Sequence, residues 1–293
     1  MTADAPRVCG LASFGLTTQN TARLQDFFTH AFGCHKISQQ RRSGPAFERA
    51  MRVSGGADSV RLTLGTAIVE FIEFDVPGRP YLPGLSPFDN EFQHLAIVVD
   101  DMRQAFDRLR GAKGWSPISS SGPQRLPDTS GAVTAYKFRD PDGHPLELLS
   151  FPAGKVPAYW QSRPGAGTFL GIDHSAMSVS DTVRSIAFYQ SLGLKVAART
   201  MNHGVEQQLL DGIPDPVVEV VALAPSHPSP HVELLGYRNA SSPRTVSIRS
   251  NDMSATRLIF HGEAPASPAF GEEFDFLILD PDGHHLQIST AEL

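Results

Sequence analysis

Long apolar runs are missing from this chain of 293 residues, and so are cysteine frameworks and blocks of like charge. With only Cys9 and Cys34, no disulfide scaffold and no close pair of metal-binding thiols can form. No run of about 18 apolar residues marks a membrane span. The 25 basic and 31 acidic residues leave a net charge of −6, and no Lys/Arg-rich stretch stands out. That balance argues against nucleic acid or an anionic membrane as partner. The opening "MTADAPRVCGLASFG" lacks a basic region followed by an apolar core, so no secretory signal is expected and a cytoplasmic location is. What remains is a chain long enough for about two domains with substantial cores.

What the sequence does contain is repetition. "FRDPDGHPLELLSF" and "LILDPDGHHLQIST" are two copies of one strand–turn–strand pattern, with Glu147 in the first and Gln287 in the second. Pro at the second and Gly at the fourth position favour a type I turn, so Asp140, His144, Asp280 and His284 read as structural. Three segments share an opening of apolar strand, polar turn and amphipathic helix: "GLASFGLTTQNTARLQDFFTHAFG", "FQHLAIVVDDMRQAFDRLRG" and "IDHSAMSVSDTVRSIAFYQSLG". Asn, Asp, Ser or Thr precedes each helix as a cap, and Gly33, Gly111 and Gly193 stand where a glycine ends one. A fourth, shorter opening is "RTVSIRSNDMSATRLIF". Each opening leads to an apolar closing strand with a polar residue inside it: "AIVEFIEF", "PLELLSF", "HVELLGY" and "HLQIST". The chain thus reads as four βαβββ modules over residues 8–76, 90–152, 168–238 and 243–291.

These repeats, with "QHLAIVVDD" as opening and "DPDGHPLELL" as ending, resemble the vicinal oxygen chelate superfamily of glyoxalases, bleomycin and fosfomycin resistance proteins and extradiol dioxygenases. The resemblance implies an α+β fold, four βαβββ modules paired into two cupped mixed sheets. It also implies one divalent metal per functional cup, with ligands on the first and last strands of paired modules. First-strand positions then fall on Ser13, His94, His174 and Thr245, and last-strand positions on Glu70, Glu147, Glu233 and Gln287. Strand alternation supports the assignment independently. Leu95, Ile97 and Val99 form one face with His94, Ala96 and Val98 opposite, and Leu146 and Leu148 flank Glu147 as Val232 and Leu234 flank Glu233.

Pairing decides the site. If module two pairs with three, His94, Glu147, His174 and Glu233 form one metal site, and modules one and four keep a scaffold. If one pairs with two, the candidates are Glu70, His94 and Glu147, with His174 and Glu233 left as a poor second set. The first arrangement is expected because it gathers all four strong residues. Tyr136, Asn202, His203, Glu206 and Gln207 are candidate substrate-binding residues on middle strands of the same modules. The expected function is a metal-dependent lyase or isomerase acting on a small substrate with adjacent oxygens. Glu147 and Glu233 are the catalytic candidates, and Ni, Zn, Co or Mn the metal. An Fe(II) extradiol dioxygenase and a metal-free binding or resistance protein are the alternatives, and a homodimer stays open.

Overall fold

The computed structural model describes residues 7–161, 167–227, 230–240, 243–263 and 276–289. Module one runs β1 (Arg7–Thr17), α1 (Thr21–Phe32), β2 (His35–Arg42), α2 (Pro45–Met51), β3 (Ala57–Leu64) and β4 (Ala67–Phe74). Module two runs β5 (Gln93–Val99), α3 (Met102–Gly111), the short β6 (Ser116–Pro117) and β7 (Gln124–Arg125), then β8 (Thr134–Arg139) and β9 (Pro145–Ser150). Module three runs β10 (Phe169–Ser178), α4 (Thr182–Ser191), β11 (Lys195–Asn202), α5 (Val205–Asp211), β12 (Val218–Ala224) and β13 (His231–Tyr237). Module four contributes β14 (Arg257–Glu263), β15 (Phe276–Leu279) and β16 (His285–Ser289).

Two mixed sheets result. Modules two and three share a nine-stranded sheet, joined where β5 and β10 pair antiparallel. Modules one and four share a seven-stranded sheet, joined in the same way through β1 and β14. The middle modules therefore pair with each other, and so do the outer ones.

Helix starts follow the side chains that cap them. Asn20, Asp101 and Asp181 each accept backbone N–H bonds from the first turn of α1, α3 and α4. Gly33 ends α1 in the left-handed region at φ 73°, which only glycine adopts without cost. Gly111 does not act in this way: it is the last residue of α3, and Ala112 caps the helix in extended conformation.

One core joins the two sheets. Phe28 of α1 packs edge-on against Phe71 of β4 at 4.8 Å, and Leu95, Ile97, Val99, Leu146, Leu148 and Leu234 belong to the same buried cluster. Burying such side chains contributes roughly 1.5–3 kcal/mol each. Alternation then turns His94, Ala96 and Glu147 to the opposite face of their sheet, where they line a cup.

The DPDGH turns fasten one sheet to the other. Asp140 accepts the backbone N–H of both Asp142 and His144, and the His144 ring bridges its carboxylate (2.8 Å) and the carbonyl of Thr17 (2.9 Å). Asp280 holds the second turn in the same way, with His284 reaching the Ser178 carbonyl at 2.9 Å. Each copy thus contacts the sheet it does not belong to, which is a structural role for both.

The opening of module four departs from the expected register. Thr245 lies outside any strand, in an irregular segment. Asp252 accepts backbone N–H bonds from Arg79 and Arg249 and bends that segment into a turn. The first strand of the module begins at Arg257, so Arg257 occupies the first-strand position that Ser13, His94 and His174 hold in the other modules.

Candidate metal centre

The cup of the nine-stranded sheet encloses a cavity of about 380 Å³, within the range of small-molecule sites. Its polar lining includes His94, Lys137, Glu147, Asp173, His174, His231 and Glu233, and its apolar walls include Leu126, Val133, Leu149, Leu210 and Val218. Ser130 donates to the Asn202 side chain at 2.8 Å across the rim, closing module two over module three.

His94, Glu147 and His174 converge, with one donor atom from each lying within 4.8 Å of the others. Parallel pairing of β5 with β9 sets Glu147 opposite Ala96, two residues from His94. Across the module junction His174 is also opposite Ala96. A register shift between Ile172 and His174 marks a bulge in β10, and both Asp173 and His174 line the cavity in consequence.

His94 Nε2 lies 2.7 Å from Glu147 Oε2, yet the contact is not aligned as a hydrogen bond, and both ring nitrogens of this buried residue lack a hydrogen-bond partner. Buried polar groups are normally satisfied, so an orphaned imidazole beside a carboxylate is a position for an additional positive centre. Burial, only partly offset by Glu147, lowers the His94 pKa and favours the neutral ring. Glu147 keeps its charge: burial works against it, but His94 and Lys137 hold its pKa below the ordinary value. Neutral imidazole and ionised carboxylate are the forms that bind borderline divalent ions. The donor set fits a metal.

Glu233 stands one step aside from that trio. Its carboxylate is 3.4 Å from His174 Nε2 and 3.5 Å from His231 Nε2. Although burial opposes its charge, His174 and His231 pull its pKa down to about 2. His174 is oriented from behind by Asp173, whose carboxylate is 3.0 Å from Nδ1. Burial opposes the imidazolium, but Glu233 and Asp173 push the His174 pKa up to about 9, so an ion bound at this ring would have to displace a proton. Asp173, His174 and His231 form a second close group around the same histidine.

The expected substrate-binding residues divide. Asn202 and Gln207 line the cavity. Tyr136 does not: it sits on the core face of β8, packed on Phe106 with ring centroids 4.6 Å apart. Strand alternation turns its neighbour Lys137 inward instead, directly across from Glu147. His203 is exposed and, like Glu206, is not among the lining residues; Glu206 and Gln207 lie on α5, not on a middle strand.

Lys137, Asp211, Tyr237, Asp173 and His231 carry no sign of their role in the sequence when taken singly. Lys137, Asp173, His231 and Tyr237 line the cavity, and Asp211 stands behind Lys137. Lys137 Nζ is 2.7 Å from Asp211 Oδ1, while Asp211 Oδ2 accepts from Gln207 (2.8 Å) and Tyr237 (2.9 Å). Burial weakens the ammonium, but Asp211 and Glu147 more than compensate and raise the Lys137 pKa. For His231 the available signal was its spacing, two residues before Glu233 on one strand face.

Residues 10–148 match the sequence model of the Glyoxalase/Bleomycin resistance protein/Dioxygenase superfamily. Glyoxalase I from Zea mays is a structural relative at 16% identity and TM-score 0.56, covering 98% of this chain and 92% of that one. A candidate dioxygenase from Bacillus subtilis subsp. subtilis str. 168 is another, at 12% identity and TM-score 0.57, covering 97% of this chain and 86% of that one. No curated protein matches the chain. Residues 10–148 belong to this superfamily by sequence, and the whole chain shares the fold of these two structural relatives.

The seven-stranded sheet has no counterpart to the converging trio among its described residues. Its corresponding positions are Ser13, Glu70, Arg257 and Gln287, and Arg257 brings a fixed positive charge to where a metal would need donors. Gln287→Glu should therefore leave metal content at the wild-type level. Metal analysis of the purified variant showing one additional ion per chain would contradict this.

Proposed function

We propose that the chain is a divalent-metal-dependent enzyme of the glyoxalase type, a lyase or isomerase acting on a small substrate with adjacent oxygens. The observation that carries the reading is the orphaned His94 ring beside Glu147 and His174 inside the cavity. His94, Glu147 and His174 would hold the ion, with Glu233 near enough to join or leave that set. A bound divalent metal supplies Lewis acidity toward a substrate oxygen, stabilising enolate or alkoxide character.

The protein's own groups then have distinct roles. Glu233 is the base for a proton next to the substrate carbonyl, a role that requires it to part from His174 and His231, which hold it weakly basic. Lys137, fixed by Asp211, offers a positive charge to an oxygen of the substrate and keeps Glu147 ionised. Asn202 and Gln207 contribute to the polar surround, and the aliphatic walls exclude water from the reacting bond.

A second reading gains from one detail. The closest donors number two histidines and one carboxylate, the set used by non-haem Fe(II) oxygenases, with Glu233 outside it. An extradiol-type ring cleavage is therefore the alternative.

One assay separates them. Chain reconstituted with Ni, Zn, Co or Mn is expected to turn over 2-oxoaldehyde–thiol adducts or epimerise acyl thioesters without consuming oxygen. Oxygen uptake on catechol by Fe(II)-loaded protein would transfer the assignment to the second reading. Inactivity of every loaded form on all three substrate classes would count against both.

A further inference from the structure

A row of side chains crosses the cup of the nine-stranded sheet: Lys137, Glu147, Ala96, His174 and His231, each paired in register with the next. The same construction gives a row across the seven-stranded sheet: Arg61, Glu70, Gly15, Arg257 and His285. Position by position the second row keeps a cation, a glutamate, a small residue, a basic residue and a histidine. The outer cup has thus changed its chemistry without losing its polar lining.

The changes run in one direction. Lys137 is paired with a buried aspartate, whereas Arg61 Nε is buried without a hydrogen-bond partner. His174 is replaced by Arg257, which is fully buried. Arg257 donates to Thr17, Ala255 and Ser250, but its Nε has no partner. His285, 2% exposed, leaves Nδ1 unpartnered, and so does Ser59 with its hydroxyl, on the same face of β3 as Arg61. Against two guanidinium groups the row holds one carboxylate, Glu70, which is also shared with Arg42 at 4.0 Å. Burial presses the His285 pKa down to about 3, and the nearby charge of Arg257 adds to the shift. Four buried polar atoms without partners on one face are costly unless something binds there.

Beside this row stands an apolar wall. Phe47 and Met51 of α2 pack with Ile72 and Phe74, and the Arg257 guanidinium lies 5.3 Å from the Phe74 ring centroid. We infer that the outer cup is a second, metal-free binding site for a small carboxylate with an apolar body, its oxygens taken by Arg61, Arg257 and His285. Guanidinium groups match the planar geometry of a carboxylate, and the buried cluster of Phe47, Met51, Ile72 and Phe74 borders Arg257, so an apolar body would enter by parting these packed side chains.

Calorimetric titration of the full chain with benzoate, acetate and inorganic phosphate tests this. Benzoate is expected to bind with one-to-one stoichiometry and more tightly than acetate or phosphate. Arg61→Gln and His285→Gln should each weaken it by about tenfold or more, and Glu70→Gln should tighten it by removing the opposing charge. Both weakening variants leave Arg257 in place, so the test does not depend on the folding of a chain that lacks it. His94→Ala should bind benzoate as the wild type does, which keeps the result separate from the fate of the metal site. Absence of saturable binding, or affinity unchanged in Arg61→Gln and His285→Gln, would overturn the inference. Phosphate binding more tightly than benzoate would overturn the apolar part of the assignment.

Discussion

Alanine at His94 or at His174 is expected to strip the ion and reduce activity by more than about 100-fold, because even residues that only orient metal ligands typically cost 10–100-fold. The two histidines are 80 positions apart in the chain, on strands of different modules that meet antiparallel in one sheet. A shared ion makes their losses of metal equivalent. Ser13→Ala should leave metal and activity intact, since Ser13 belongs to the other sheet. Metal analysis and turnover on the same preparations check this. Retention of metal in both histidine variants would remove the proposed ligand set.

Lys137→Met should have the second largest effect, on stability as well as catalysis. Lys137 and Asp211 are both buried, and removing one partner leaves the other charge uncompensated. Such a break costs about 3–5 kcal/mol, or a fall in Tm of roughly 10 °C for a chain of this size. Activity should fall about 100-fold, the order expected when a fixed positive group facing the reacting oxygen is lost. The double variant Lys137→Met with Asp211→Leu should regain much of the stability and none of the activity. Recovery of both would reduce Lys137 to a packing role.

How much of this was legible beforehand follows from the kind of signal each residue leaves. His94, Glu147 and His174 interrupt apolar strands, so alternation alone turns them away from the core, and the repeated turns number them into equivalent positions. Arg257 leaves no such trace. A buried arginine inside "TRLIF" reads as the end of a polar opening, while the apolar alternation around Thr245 imitates a strand that Asp252 in fact bends into a turn. Lys137 is hidden by a different ambiguity. Lysine in a strand reads as solvent-facing and an adjacent tyrosine as a pocket residue, and only the pairing of Lys137 with Glu147 reverses the two. Asp211 and Gln207 depend on a two-turn helix packed over the cavity, a tertiary placement that periodicity does not encode. The pairing of modules was likewise a choice between two arrangements, decided by the antiparallel contact of β5 with β10.

The central claim is that one cup of this molecule is built around a divalent ion and the other is not. Diffraction data collected at the metal's absorption edge, on crystals of metal-loaded chain, test it most directly. The account predicts a single anomalous peak per chain, within roughly 2.0–2.2 Å of donor atoms on His94, Glu147 and His174. A peak beside Arg257 and Glu70, or no peak in the nine-stranded sheet, would contradict it.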